Sequence, residues 1–212
     1  MTYPVQHNHN RMAYPIGWKI RCERYAGGVT PELRADAARN RERVLAAARR
    51  RVDAGDLTLP MNSLAAEAGV GVGTAYRHFR DRAALVAALA APRLEELRED
   101  ARAAADGPDA VAAVTTLLRS VMRALMTDRA LAEAMRLGPE GVPELADDLA
   151  DMSRLVDGLL TRARDEGAPV MLRADDLRRL LCGVEHAAHL GDDPLADAAR
   201  YVDMLFPGLR GA

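Results

Sequence analysis

The stretch from Leu64 to Phe79, LAAEAGVGVGTAYRHF, constrains this chain more than any other. Leu64, Ala65, Ala66 and Ala68 keep apolar residues at helical spacing, so one short helix ends there. Gly69 stands where a helix terminates, because left-handed backbone costs glycine little. Val70 follows as the apolar residue that packs back onto that helix. A second short helix is expected through Thr74 to Phe79, with Val72, Ala75, Tyr76 and Phe79 at the spacing of one buried face. Two short helices joined by a tight glycine turn make a helix-turn-helix, whose second helix enters the major groove of DNA. Gly71, Gly73, Thr74, Arg77 and His78 lie off the buried face, small or polar enough to approach base edges and phosphates.

AGVGVGTAYRHF, preceded by NRERVLAAA and followed by DRAALVAAL, resembles the DNA-binding region of the TetR family of bacterial transcriptional regulators over roughly Asn40 to Leu89. The resemblance implies an all-α chain. An N-terminal three-helix head with the helix-turn-helix would occupy residues 36–86. A helical ligand-binding and dimerisation body would occupy residues 87–212, with about nine helices in the whole. By the same resemblance Tyr76 and His78 match phosphate-contacting residues, and Thr74 and Arg77 lie where bases or backbone are reached. The full DNA-contacting set expected is Arg39, Arg43, Asn62, Gly71, Val72, Gly73, Thr74, Tyr76, Arg77, His78 and Arg82, with Asn40 and Arg80 as further backbone contacts. The ring of Tyr76 belongs to the expected buried stripe, which leaves its hydroxyl to reach DNA.

Five positions depart from the family pattern. Gly71-Val72 stands where Ser-Lys is common, so one phosphate contact is missing. Arg51 occupies a position usually filled by a large apolar residue, and Val52 one where Phe is common. Leu59 falls at the usual helix cap, which its side chain cannot provide. Pro60 is expected at the first helical position, where its missing N–H costs nothing.

Charge is divided along the chain. Residues 1–80 hold 13 arginines and lysines against 7 acids, whereas residues 81–212 hold 16 against 24. A basic front joined to an acidic rear is the footprint of a DNA reader with a separate body. Cys22 and Cys182 are far apart, which fits a reduced, cytoplasmic protein. No run approaches the roughly 20 apolar residues that span a bilayer, and the beginning of the chain lacks the apolar stretch of a signal peptide.

Residues 1–35 are polar and aperiodic and are expected to be a disordered extension. His7 and His9 lack further ligands at zinc-site spacing. Arg11, Lys19, Arg21 and Arg24 could form a basic arm into the minor groove. A blander alternative is that translation begins at Val29, which intact mass of the native product would decide.

Further on, Asp36–Asp53 reads as an amphipathic helix with Val44, Leu45, Ala48 and Val52 inward and its arginines outward. Asp81 is the expected cap of a connector that Pro92 kinks into two segments, Asp81–Ala90 and Arg93–Ala105. A strongly apolar helix follows to about Met126, then a short one from Thr127/Asp128 stopped by Gly138-Pro139. Helices from Pro143/Glu144 to Glu166, Arg173/Ala174 to Leu190, and Pro194 to Phe206 complete the set. The last two are apolar on more than one side and are the expected homodimer interface. Their sequence, LLCGVEHAAHLGDD…ARYVDMLFPGLR, resembles the C-terminal domain of the SbtR-like subgroup.

The implied partners are double-stranded operator DNA, a second copy of the chain and a small-molecule effector, with no membrane and no cofactor. Met122, Met126, Met135, Met152 and Leu155 are the expected ligand-binding residues, since flexible thioethers suit an adaptable apolar pocket; ordinary core packing is their alternative role. Cys182, His186 and His189, with Glu185 beside them, can share one helix face as a metal sensor would require. Zinc sites draw ligands from more than one element, so interface or core histidines are the reading taken. An enzyme is disfavoured by the lack of a phosphate-binding glycine loop, a nucleophile elbow or a paired metal-ligand motif. The remaining alternative is a small-molecule or metal-binding dimer with lost or altered operator recognition.

Overall fold

The computed structural model describes residues 31–205. The basic arm, His7, His9, Cys22, the Val29 start and Phe206 lie outside them. Backbone contacts divide the chain into residues 1–38 and residues 39–212. Among the described residues there are nine α-helices, one 3-10 turn and no strand.

The helices are α1 (Pro31–Asp53), α2 (Met61–Ala68), α3 (Val72–His78), α4 (Arg82–Ala105), α5 (Ala110–Thr127), α6 (Arg129–Gly141), α7 (Ala146–Asp165), α8 (Ala174–Ala188) and α9 (Pro194–Leu205). The 3-10 turn, Pro143–Leu145, precedes α7. Helix α1 begins at Pro31 rather than Asp36. Proline is at home in a first turn because that turn needs no N–H from it.

Side-chain caps fix the starts of three successive helices. Asp81 accepts from the Ala84 amide at 2.9 Å, Asp109 from Ala112 at 2.8 Å, and Asp128 from Leu131 at 2.9 Å. Each satisfies one of the donors a helix start leaves unpaired. At α2 no side chain caps, and Pro60 sits one residue outside the helix, at the cap itself. The Leu59 before it has a φ of 48°, in the left-handed region. Burial of its side chain, 2% exposed, holds this leucine in place against a backbone cost of about 1–2 kcal/mol.

Pro92 does not split the connector: α4 is one helix of 24 residues. Pro92 is exposed, so the carbonyl left without its N–H partner can turn to water. The break comes instead at Gly138, where φ 69° and ψ −176° interrupt α6 just before Pro139. A residue with a Cβ would be strained there.

One buried cluster runs from Val44 to Val202. Its front part joins Val44, Ala48 and Val52 of α1 to Leu64, Ala68 and Phe79 of the motif and to Leu85 and Leu89 of α4. By length and composition helix α5 is apolar enough to cross a membrane. Here its stripe of Val114, Leu117, Leu118, Val121 and Leu125 is buried in this cluster, as befits a core helix.

Candidate nucleic-acid interface and effector cavity

The turn between α2 and α3 is closed by backbone chemistry. Gly69 adopts φ 61° and ψ 38°, its N–H bonds to Ala66, and the Val70 N–H returns to the Ala65 carbonyl at 2.9 Å. This is the helix-ending pattern that favours glycine. Helix α3 then starts from Gly71 with only seven residues, and of these Ala75 alone is buried.

Two residues expected in the buried stripe are instead outside it. Val72 is 43% exposed and Tyr76 48% exposed, leaving Ala75 and Phe79 as the packed pair. Among the described residues the short helix covers the core with one edge only. Tyr76 is therefore about half exposed and lies outward together with Arg77, Gly71 and Gly73. Thr74 and His78 are half-buried, whereas Asn62 and Arg39 are exposed on their own helices.

Several arginines expected at the DNA backbone are engaged within the protein. Arg82 Nε donates to the Leu57 carbonyl at 2.6 Å, and its Nη2 lies 2.5 Å from Glu133. That guanidinium is tied within the protein and remains 35% exposed. Arg80 pairs with Asp81 and with Glu144 at 3.1 Å while remaining 64% exposed. Arg43 donates to the Gly69 carbonyl at 3.2 Å, so it braces the turn of the motif from α1. Arg49, placed outside by periodicity, donates to the Leu89 carbonyl at 2.6 Å and pairs with Asp128 at 3.2 Å.

Arg51 also has a structural use in place of the apolar residue expected there. It joins α1 to α2 through Glu67 and reaches Asp56 at 2.9 Å. These hydrogen bonds and charges hold both carboxyls below their usual range; for Asp56 the bonds from Thr58 contribute most.

Glu133, 4% exposed, is the buried charge of the α4–α6 contact. Burial would push its carboxyl up, but hydrogen bonds from Arg82 and Arg136 outweigh burial and hold it below the usual carboxylate range. Arg136 contributes bonds of 2.9 and 2.6 Å. Sequence reading missed Glu133, although its place among Ala130, Leu131 and Ala134 on a buried stripe was a signal.

The expected ligand residues divide between two openings. Met135 and Met152 line a narrow cavity of about 50 Å³ enclosed by α5, α6, α7 and α8. Met122 and Met126 line a separate cleft of about 420 Å³ between α5 and α9. Leu155 is half-buried against the core and belongs to neither. The Met spacing could not show this, because residues four apart on α5 share a face while the cavity opens on the other. Arg178 at the narrow cavity was not anticipated; its register with Ala174 and Leu181 places it on the buried side of α8.

Among the described residues no three His, Cys, Asp or Glu side chains are gathered for an ion. His186 is exposed, and His189 Nδ1 lies 2.9 Å from the Glu185 carbonyl. Burial pushes the Cys182 thiol up.

An all-α chain with a helix-turn-helix near its front and an apolar cavity behind has the make-up of a helix-turn-helix transcriptional regulator. The family model described as bacterial regulatory proteins, tetR family, matches residues 44–89. The TetR transcription regulatory protein from Mycobacterium vanbaalenii is 31% identical, the match covering 84% of this chain and 99% of that one, with a TM-score of 0.47. The chain belongs to the TetR family. FadR from Bacillus subtilis, solved in complex with stearoyl-CoA, shares the fold at 17% identity and a TM-score of 0.56, covering 80% of this chain and 99% of its own. PfmR from Thermus thermophilus does so at 16% identity and a TM-score of 0.54, with the same coverage. A search of the curated proteins finds no match.

Proposed function

We propose that this chain is a ligand-responsive transcriptional repressor that binds a palindromic operator as a homodimer in the cytoplasm. Residues 36–86 act as the DNA-reading head, and residues 87–212 as the effector-binding and dimerisation body. The observation that carries this reading is the outward face of α3. Tyr76 and Arg77 stand exposed beside Gly71 and Gly73, which leave the backbone open to close approach.

Dimerisation is supported by apolar surface on the last two helices. Leu180 is 39% exposed and Met204 67% exposed, and with Val184, Ala187 and Tyr201 they line a groove along α8 and α9. A second copy would cover it and bring two heads to successive half-sites. An effector site is supported by the apolar cavity of the body, and FadR, of the same fold, is seen with stearoyl-CoA. The effector would act by binding better to the conformer whose heads no longer match the half-site spacing.

Arg77→Ala tests the reading on a selected operator. The variant should weaken binding by about 1–3 kcal/mol while the dimer stays folded, and wild-type binding should fall steeply with salt. Equal affinity of variant and parent would exclude Arg77 from the interface. Weak, sequence-indifferent binding by both would favour the other reading, a ligand-binding dimer with altered operator recognition, to which the uncharged Gly71-Val72 start of α3 gives support.

A further inference from the structure

The lining of the narrow cavity carries one charged side chain. Its walls include Val114, Leu118, Met135, Met152 and Leu181, and its polar lining residues are Ser153 and Arg178. The Ser153 hydroxyl is spent on the Leu149 carbonyl, to which it donates at 2.9 Å. Arg178, with its side chain only 18% exposed, is the charge at the cavity.

The present bonds of Arg178 are replaceable. Its Nη1 donates to the Met135 carbonyl at 2.6 Å, and its Nε and Nη2 hold Asp175 Oδ1 at 3.1 and 2.7 Å. A guanidinium carries more N–H donors than these bonds use. Asp175 has a second cation, since its Oδ2 lies 2.5 Å from Arg179. An incoming anion could therefore take Arg178 while Asp175 keeps an ion pair.

The cavity also limits what can enter. At about 50 Å³, where one water needs about 10–15 Å³, it admits a slim chain, and the flexible side chains of Met135 and Met152 in its wall suit it to adapt. Arg178 is the one charged residue of its lining, so a single anionic group on the ligand can be matched there.

We propose, building on the regulator reading above, that the effector is a slim apolar molecule bearing one carboxylate, and that Arg178 holds that carboxylate. Arginine matches a carboxylate with two parallel N–H bonds. Besides its hold on Asp175, Arg178 would give up the bond to the Met135 carbonyl, which lies on α6: Met135 stands two residues after Glu133, the partner of Arg82 on α4. It stands three before Gly138, whose Cβ position is 3.5 Å from Arg178 Nη1. Effector binding would thus loosen the hold of α8 on the interrupted end of α6.

The test is calorimetric titration of the purified full chain with straight-chain carboxylates from butanoate to dodecanoate, and with the primary alcohols of the same lengths. At the best length the carboxylate should bind about tenfold or more tighter than its alcohol. Arg178→Gln should bring the carboxylate to the level of the alcohol and leave the alcohol unchanged, while Arg178→Lys keeps part of the preference. Equal binding of acid and alcohol to the wild-type chain, which needs no variant to fold, overturns the proposal. So does a preference that survives in folded Arg178→Gln, or no binding of either series. Because DNA is absent from this measurement, the two readings fail separately. A chain that binds carboxylates but selects no DNA site loses only the regulator reading. One that selects a palindrome but prefers no carboxylate loses only this one.

Discussion

The Arg82 guanidinium lies 2.5 Å from the Glu133 carboxylate, tying the first turn of α4 to the buried side of α6. The same guanidinium holds the Leu57 carbonyl in the loop before α2. One side chain thus connects the body to the segment that leads into the DNA-reading motif. A buried carboxylate of this kind is costly to leave unpaired, so its protonation should register in stability.

The sign follows from the direction of the Glu133 shift. Its folded pKa is lowered, so its contribution is complete above the ordinary carboxylate value of about 4.3 and is lost as pH falls through the folded value. Urea unfolding at stepped pH should show stability falling between about pH 5 and 3. Glu133→Gln should flatten part of that fall and cost about 2–3 kcal/mol at pH 7, less than a fully buried pair because Arg82 is half-exposed. A variant with the full acid slope would remove Glu133 as the group responsible.

Two glycines of the motif should respond oppositely to alanine. Gly69, at φ 61°, leaves no room for strain-free substitution, and an added Cβ would meet the Arg43 guanidinium. Gly69→Ala should destabilise by about 1–2 kcal/mol, read as a lower Tm.

Gly73 lies inside α3 with nothing within 4 Å of an added Cβ. Gly73→Ala should stabilise the protein by about 0.5–1 kcal/mol and yet weaken operator binding, if the backbone there approaches DNA closely. Thermal melting and a binding titration on the same sample separate the effects. Unchanged operator affinity would place Gly73 away from the DNA.

The groove along α8 and α9 predicts the fate of a charged substitution. Leu180→Asp puts an unpaired carboxylate where a second copy should bury the leucine. Sedimentation velocity should show a folded monomer, and a persistent dimer would move the interface elsewhere.

What the sequence made legible was mostly local backbone chemistry. Gly69, the Asp81 and Asp128 caps and the Gly138-Pro139 break could be read because each is decided within a few residues. Side chains that reach across the fold could not be. Arg43, Arg49 and Arg82 all read as outward cations, but each finds a carbonyl supplied by a distant segment. Tyr76 had the spacing of a buried residue, yet a seven-residue helix packs on one edge only. The methionine spacing did not show which openings these side chains line, since that depends on how α5, α6 and α9 pack.

The most direct test of the central claim is selection of binding sites from random duplex DNA by the purified chain at near-physiological salt. The account predicts enrichment of a palindrome whose half-sites are about 34–36 Å apart, or a multiple of that, and loss of that enrichment in Arg77→Ala. A folded, dimeric protein that enriches no sequence would contradict it.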